Sequence, residues 1–88
     1  MQASAEISLY ALTADYETVV LDFIHRLKNH EGLQIQTNEL STQVTGDYDE
    51  LMHALHEEIK ETFHRGRISA FSLKILNIAI EPGRKVEV

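Results

Sequence analysis

Near its start the chain alternates between apolar and polar positions. In Ala5–Leu12, Ile7, Leu9 and Ala11 fall on one side and Glu6, Ser8 and Tyr10 on the other. A period of two predicts a half-buried strand. From Asp15 to Asn29 the period lengthens. Tyr16, Val19, Val20, Phe23, Ile24 and Leu27 make one apolar stripe at helical spacing, which predicts an amphipathic helix. Each stripe residue contributes about 1.5–3 kcal/mol if fully buried. Thr13 or Asp15 is expected to cap this helix, and Gly32 suits the left-handed position beyond its end.

Two short alternating runs follow. In LQIQT, Leu33, Ile35 and Thr37 share a face; in LSTQVTG, Leu40, Thr42 and Val44 do. A two-residue turn at Asn38-Glu39 would pair Thr37 with Leu40, Ile35 with Thr42 and Leu33 with Val44, keeping the apolar faces together. Asp47, with Glu50 three residues on, predicts a capped second helix. Its stripe is Leu51, Met52, Leu55, Ile59 and Phe63, and Gly66 ends it. A last strand starts near Arg67, with Phe71, Leu73 and Ile75 facing the core and Ser72 and Lys74 facing away. Apolar residues continue to Ile80 before Glu81-Pro82-Gly83 breaks the pattern. That predicts a strand of about a dozen residues, longer than the usual 5–6.

Strand, helix, strand, strand, helix, strand is the split βαβ order. With right-handed crossovers it predicts an α+β, ferredoxin-like βαββαβ fold: a four-stranded antiparallel sheet with both helices on one face. One domain is expected over residues 1–88, with its core at about 5–80 and a C-terminal tail at 81–88. The last strand lies at an edge in this topology. A long apolar edge invites pairing with another chain, so a homo-oligomer assembled through the edge strand and the sheet is expected.

The same topology brings Leu12–Asp15, the hairpin tip Thr37–Ser41 and the Arg65–Arg67 loop to one pole. Tyr10 and Tyr16 flank it; Thr37, Asn38, Ser41 and Thr42 add hydroxyls and an amide. Polar groups beside aromatic and aliphatic walls suit a small heteroaromatic ligand. Each residue also has a plainer role. Thr42 can satisfy its hydroxyl on a nearby carbonyl in the core. Asn38 is a favoured turn residue, Tyr16 a stripe residue and Asp15 a cap. Ser41 points with Gln43 and Thr45 to an outer face that is polar throughout, either solvated or a wet subunit interface.

Charge narrows the ligand. The net charge of −6 repels phosphate backbones and attracts cations, so nucleic acid is not an expected partner. The chain has no cysteine, which excludes disulfides and thiolate metal sites. Neither a secretory leader nor a membrane span is expected, and the cytoplasm is the expected location. The catalytic motifs are missing: there is no Gly-rich phosphate loop and no GxSxG elbow. Of the five histidines, His53 and His64 share the outward face of the second helix with Glu57 and Lys60. Lys60 opposes a metal there, and a solvated face is the simpler reading. No enzyme activity, metal or cofactor is expected.

The segments ISLYAL, DYETVVLDFIHRLK and GLQIQTNELSTQVTGDYDELMHALHEEI resemble the YkoF-type thiamine/hydroxymethylpyrimidine-binding family, from about Ala5 to Ile78. The most specific part is the GL…ST…GDYDE run with its fixed gap from Gly32 to Gly46. The resemblance implies a domain that binds thiamine or its hydroxymethylpyrimidine precursor in uptake or salvage and catalyses nothing. Some members of the family carry two such domains in tandem, so two copies of this chain would associate to make a comparable unit. The expected ligand contacts are Tyr10, Asp15, Tyr16, Thr37, Asn38, Ser41 and Thr42. Ser41 and Thr42 lie in the matched run, and the others follow from the geometry of the pole. The alternative is a ligand-free structural or regulatory oligomerisation module.

Overall fold

A computed structural model describes all 88 residues, Met1–Val88. The elements are β1 (Gln2–Ala11), α1 (Tyr16–Lys28), β2 (Gln34–Thr37), β3 (Thr42–Asp47), α2 (Tyr48–His64) and β4 (Ser69–Leu76). They form one four-stranded sheet in the order β2-β3-β1-β4, every neighbouring pair antiparallel. This is the expected ferredoxin-like α+β arrangement, with β4 at an edge.

The two periodicities meet in the core. Ala3, Ala5 and Ile7 of β1, with Val44 of β3, turn toward Phe23, Ile24 and Leu27 of α1 and Leu51, Ala54 and Leu55 of α2. Phe71 of β4 stacks obliquely on Phe23 at 5.1 Å between ring centres. Gly46 is required by close approach. A Cβ there would lie 2.6 Å from the Leu33 side chain and 3.0 Å from the Gly32 carbonyl oxygen. Gly32 itself has φ +82°, a backbone that glycine adopts without penalty. The glycine pair thus seats the chain leaving α1 against the end of β3.

α2 starts as expected, with the Asp47 carboxylate accepting from the amides of Asp49 and Glu50. Its stripe is displaced at the far end. Phe63 is half exposed, lying edge-on to Phe71, and Thr62 is buried instead. The Thr62 hydroxyl donates to the Glu58 carbonyl and accepts from Arg26 at 2.6 Å. Glu58 also receives Arg26 Nε at 2.9 Å and lies 2.6 Å from His30 Nε2. This cluster clamps α1 to α2, and it rewards a polar residue where periodicity alone places an aromatic one.

Two expectations about the strands are corrected. The hairpin register is Thr37↔Thr42, Gln36↔Gln43, Ile35↔Val44, two residues away from the expected pairing. The loop therefore has four residues, Asn38–Ser41. Asn38 Oδ1 accepts from the amides of Leu40 and Ser41, and the Asn38 amide donates to the Ser41 carbonyl. That side-chain turn outcompetes a two-residue hairpin. A shift by two preserves which face each residue occupies, but Leu40 leaves the sheet and is 84% exposed.

The second correction concerns β4, which has 8 residues and stops at Leu76. The chain then crosses the outer face of the sheet. Ser4 Oγ on β1 donates to the Ile78 carbonyl at 2.8 Å, accepts from the Ile80 amide at 2.9 Å and lies 2.8 Å from Thr45 Oγ1. Thr45 donates to the Ile80 carbonyl at 3.0 Å, and Gln43 Oε1 accepts from the Gly83 amide at 2.7 Å. The tail finds its backbone partners on polar side chains of β1 and β3, so part of the polar face is neither solvated nor free for a subunit. Ser4 is 1% exposed. Ser4→Ala strands the Ile80 amide, and urea unfolding is expected to show a loss of about 1–3 kcal/mol.

The helix clamp makes stability depend on pH. Burial pushes the pKa of Glu58 up, but the hydrogen bonds and charges of His30 and Arg26 outweigh burial and leave it below 4.5, its ordinary value. A carboxylate with a depressed folded pKa stabilises fully above its unfolded pKa and loses that contribution as pH falls through the folded one. Glu58→Gln is therefore expected to lower stability at pH 7 by about 1–3 kcal/mol. The difference from the parent should shrink as pH drops below 4.5, as read by denaturant unfolding across pH.

Candidate functional site

α1 begins, and β1 and β2 end, at one pole, where β3 and β4 also start. Between α1 and the sheet at this pole lies a cleft of about 610 Å³. Its floor is β1 from Ile7 to Leu12, one wall is the start of α1 from Tyr16 to Ile24, and the other is the hairpin from Thr37 to Thr42. The volume falls in the range of small-molecule sites.

Six expected contacts line this cleft: Tyr10, Tyr16, Thr37, Asn38, Ser41 and Thr42. Tyr10 and Tyr16 are both half exposed at its rim, so Tyr16 begins the α1 stripe without entering the core. Thr37 Oγ1 and Thr42 Oγ1 are 2.9 Å apart, each able to donate to the other. Thr42 faces the helices and is buried. One hydroxyl hydrogen of the pair is committed between them, and the other is available to a ligand. Asn38 spends its carbonyl oxygen on the turn, which leaves its amide hydrogens for the cleft. Ser41 borders the cleft but turns its hydroxyl to the outer face, donating to Glu6 at 3.1 Å.

Asp15 is not brought together with the other six. Its side chain makes no cap bond to α1; Thr13 donates to it at 2.6 Å, and Arg67 donates through Nε at 3.1 Å and Nη2 at 2.7 Å. The Thr13 hydrogen bond first, and then Arg67, hold its pKa below 3.8, the ordinary value. Arg67 competes successfully for a carboxylate that local sequence would aim at the helix amides, since its guanidinium supplies two charge-assisted hydrogen bonds, one to each carboxylate oxygen. Asp15 instead lines a separate notch of about 80 Å³ together with Arg26, Arg65 and Arg67. The ion pair ties the β1–α1 loop to the α2–β4 loop.

Sequence reasoning missed five contributors. Glu17 and Glu39 are carboxylates on the cleft wall, and no Arg, Lys or His lines it. Val20 and Leu21 on the α1 wall and Leu40 on the hairpin wall are apolar. Leu40 was hidden by its fit to an alternating strand, and only the Asn38 turn chemistry could have released it. His30 sits beyond the opposite end of α1 from the cleft. His53, Glu57, Lys60 and His64 lie exposed on α2. No three histidine or acidic side chains converge as a metal-binding set. No helix is long and apolar enough to cross a membrane.

The fold and cleft define a class: a ferredoxin-like α+β domain with a helix-side cleft open at the pole where the hairpin turns. The YKOF-related family profile matches residues 2–69, and the chain belongs to that family. Solved structures share the fold. A Streptococcus pneumoniae protein superposes with a TM-score of 0.82 at 24% identity, covering 91% of this chain and 90% of its own. A Thermotoga maritima protein, described as a candidate thiamine biosynthesis/salvage protein, gives 0.78 at 16% identity, with 92% and 90% coverage. A hypothetical protein from Methanocaldococcus jannascii gives 0.76 at 27% identity, with 91% and 84% coverage. A comparison with curated proteins returns no match.

Proposed function

We propose that this chain binds thiamine or hydroxymethylpyrimidine in the polar cleft and performs no chemistry on it. The observation that carries the reading is the cleft itself: about 610 Å³, lined by Tyr16, threonine hydroxyls, an amide and two carboxylates, with Tyr10 on the strand that floors it and no cationic side chain. A tyrosine face attracts a thiazolium by roughly 0.5–2 kcal/mol. The carboxylates of Glu17 and Glu39 add to that attraction. The hydroxyls of Thr37 and Thr42 and the Asn38 amide suit a heteroaromatic ring with nitrogen acceptors and an amino donor. Family membership supports the reading, and the Thermotoga neighbour's description points the same way while its likeness is one of fold.

Tyr10, Tyr16, Thr37, Asn38 and Thr42 are the proposed contacts. Ser41 shapes the rim through its backbone, and Asp15 holds the adjoining loop. A second copy is proposed to pair along β4, where Leu73 and Ile75 on the helix side are each about two-fifths exposed. The tail occupies part of the outer face, which makes the β4 edge the more open route to assembly.

Calorimetric titration of thiamine and of hydroxymethylpyrimidine is expected to give saturable heat, and silence at millimolar ligand would refute the proposal. Thr42→Val should weaken binding three- to tenfold, the worth of one hydrogen bond; unchanged affinity would return Thr42 to packing alone. Thiamine monophosphate should bind at least about tenfold more weakly than thiamine, because its phosphate meets carboxylates and no cation. Ile75→Lys should lower the mass measured by light scattering if β4 pairs two copies.

A further inference from the structure

Six consecutive residues, Ile7 to Leu12, line the cleft. Alternate strand side chains point to opposite faces, so one face cannot supply all six. The edge of β1 itself must be exposed there. The strand pairings agree. β4 covers β1 from Ser4 to Ala11, whereas β3 covers it only from Gln2 to Ile7. β1 lies between these two strands, yet beyond Ile7 its β3 side has no strand.

Two hydrogen bonds fix which groups face that side. The Leu12 amide donates to the Ile68 carbonyl at 2.9 Å on the β4 side. The Tyr48 amide donates to the Met1 carbonyl at 2.8 Å in continuation of the β3 ladder. In an antiparallel ladder a residue aims its N–H and its C=O the same way, and successive residues alternate. Even-numbered residues of β1 therefore serve β4, and odd-numbered ones serve β3. Ala3, Ala5 and Ile7 are met by Gly46, Val44 and Thr42. Leu9 and Ala11 have no strand partner on that side. The hairpin loop reaches this stretch through Ser8 Oγ, which donates to the Leu40 carbonyl at 3.4 Å.

We infer that the cleft reads the ligand's pyrimidine through the main chain of Leu9, with Ala11 next along the edge. This rests on the proposed function and deepens it. An extended residue presents one donor and one acceptor side by side. An aminopyrimidine presents the complement, an exocyclic amine beside a ring nitrogen. The ring nitrogen accepts from the Leu9 N–H, and the amine donates to the Leu9 C=O. The unpaired edge is two residues long and bounded by the Asn38–Ser41 loop, which suits a single planar ring. Main-chain groups left unpaired carry a cost that a matching ligand removes.

The test uses the full chain labelled with ¹⁵N. On titration with thiamine or hydroxymethylpyrimidine, the Leu9 and Ala11 amides should shift and their hydrogen exchange should slow at least tenfold. The 4-oxo analogue of thiamine reverses the pattern, with a carbonyl in place of the amine and a proton on the adjacent nitrogen. It should bind at least tenfold more weakly than thiamine. Unmoved Leu9 and Ala11 amides, or equal binding of thiamine and its 4-oxo analogue, overturn the main-chain contact and leave thiamine binding intact. Absence of saturable binding by both thiamine and hydroxymethylpyrimidine overturns the contact and the proposed function together.

Discussion

A strand placed between two neighbours must satisfy backbone groups along both of its edges, and β1 does so unequally. β4 follows it to Ala11, while β3 leaves it at Ile7. The inequality comes from one side chain. Asn38 binds the amides of Leu40 and Ser41 and so lengthens the hairpin loop by two residues. Had Leu40 entered β3 as its alternation suggests, the register would have set it opposite Leu9 and sealed the edge. The cleft exists because a local turn outweighs two residues of strand pairing, at the pole where α1 begins.

The polar load of β3 divides between two tasks according to face. Thr42 turns toward the helices, where it meets Thr37 at the cleft. Ser41 and Thr45 turn the other way, the first to Glu6 and the second to the tail. Buried hydroxyls are costly unless paired, and no buried side-chain nitrogen or oxygen in the structure is left without a partner. The tail is held the same way: Ser4 and Thr45 supply the donors and acceptors that its backbone would otherwise seek in a strand. A chain too short for a large apolar core thus gains order from polar contacts on its outer face.

Electrostatics separates two neighbouring hollows on either side of α1. Arg26, Arg65 and Arg67 line the small notch, and each is paired with a carboxylate: Glu58, Glu61 and Asp15. The large cleft keeps only Glu17 and Glu39. The charged side chains that line the large cleft are therefore all acidic.

Strand and helix periods, the Asp47 cap, the glycines past each helix and the split βαβ order were all legible in the chain, because each depends on neighbours within a few residues. The polar pole followed from strand directions alone, and six of the seven contacts expected there line the cleft. What sequence could not supply involves partners far along the chain. Asp15 reads as a cap until Arg67, 52 positions away, claims it. Phe63 reads as core until Arg26 rewards Thr62 in its place. Ile78 and Ile80 read as strand until Ser4 draws their backbone across the sheet. The free edge of β1 arises from the unequal reach of its two partners, a quantity fixed only when the strands meet. Local preference chose the elements, and competition among distant partners chose which side chains line the cleft.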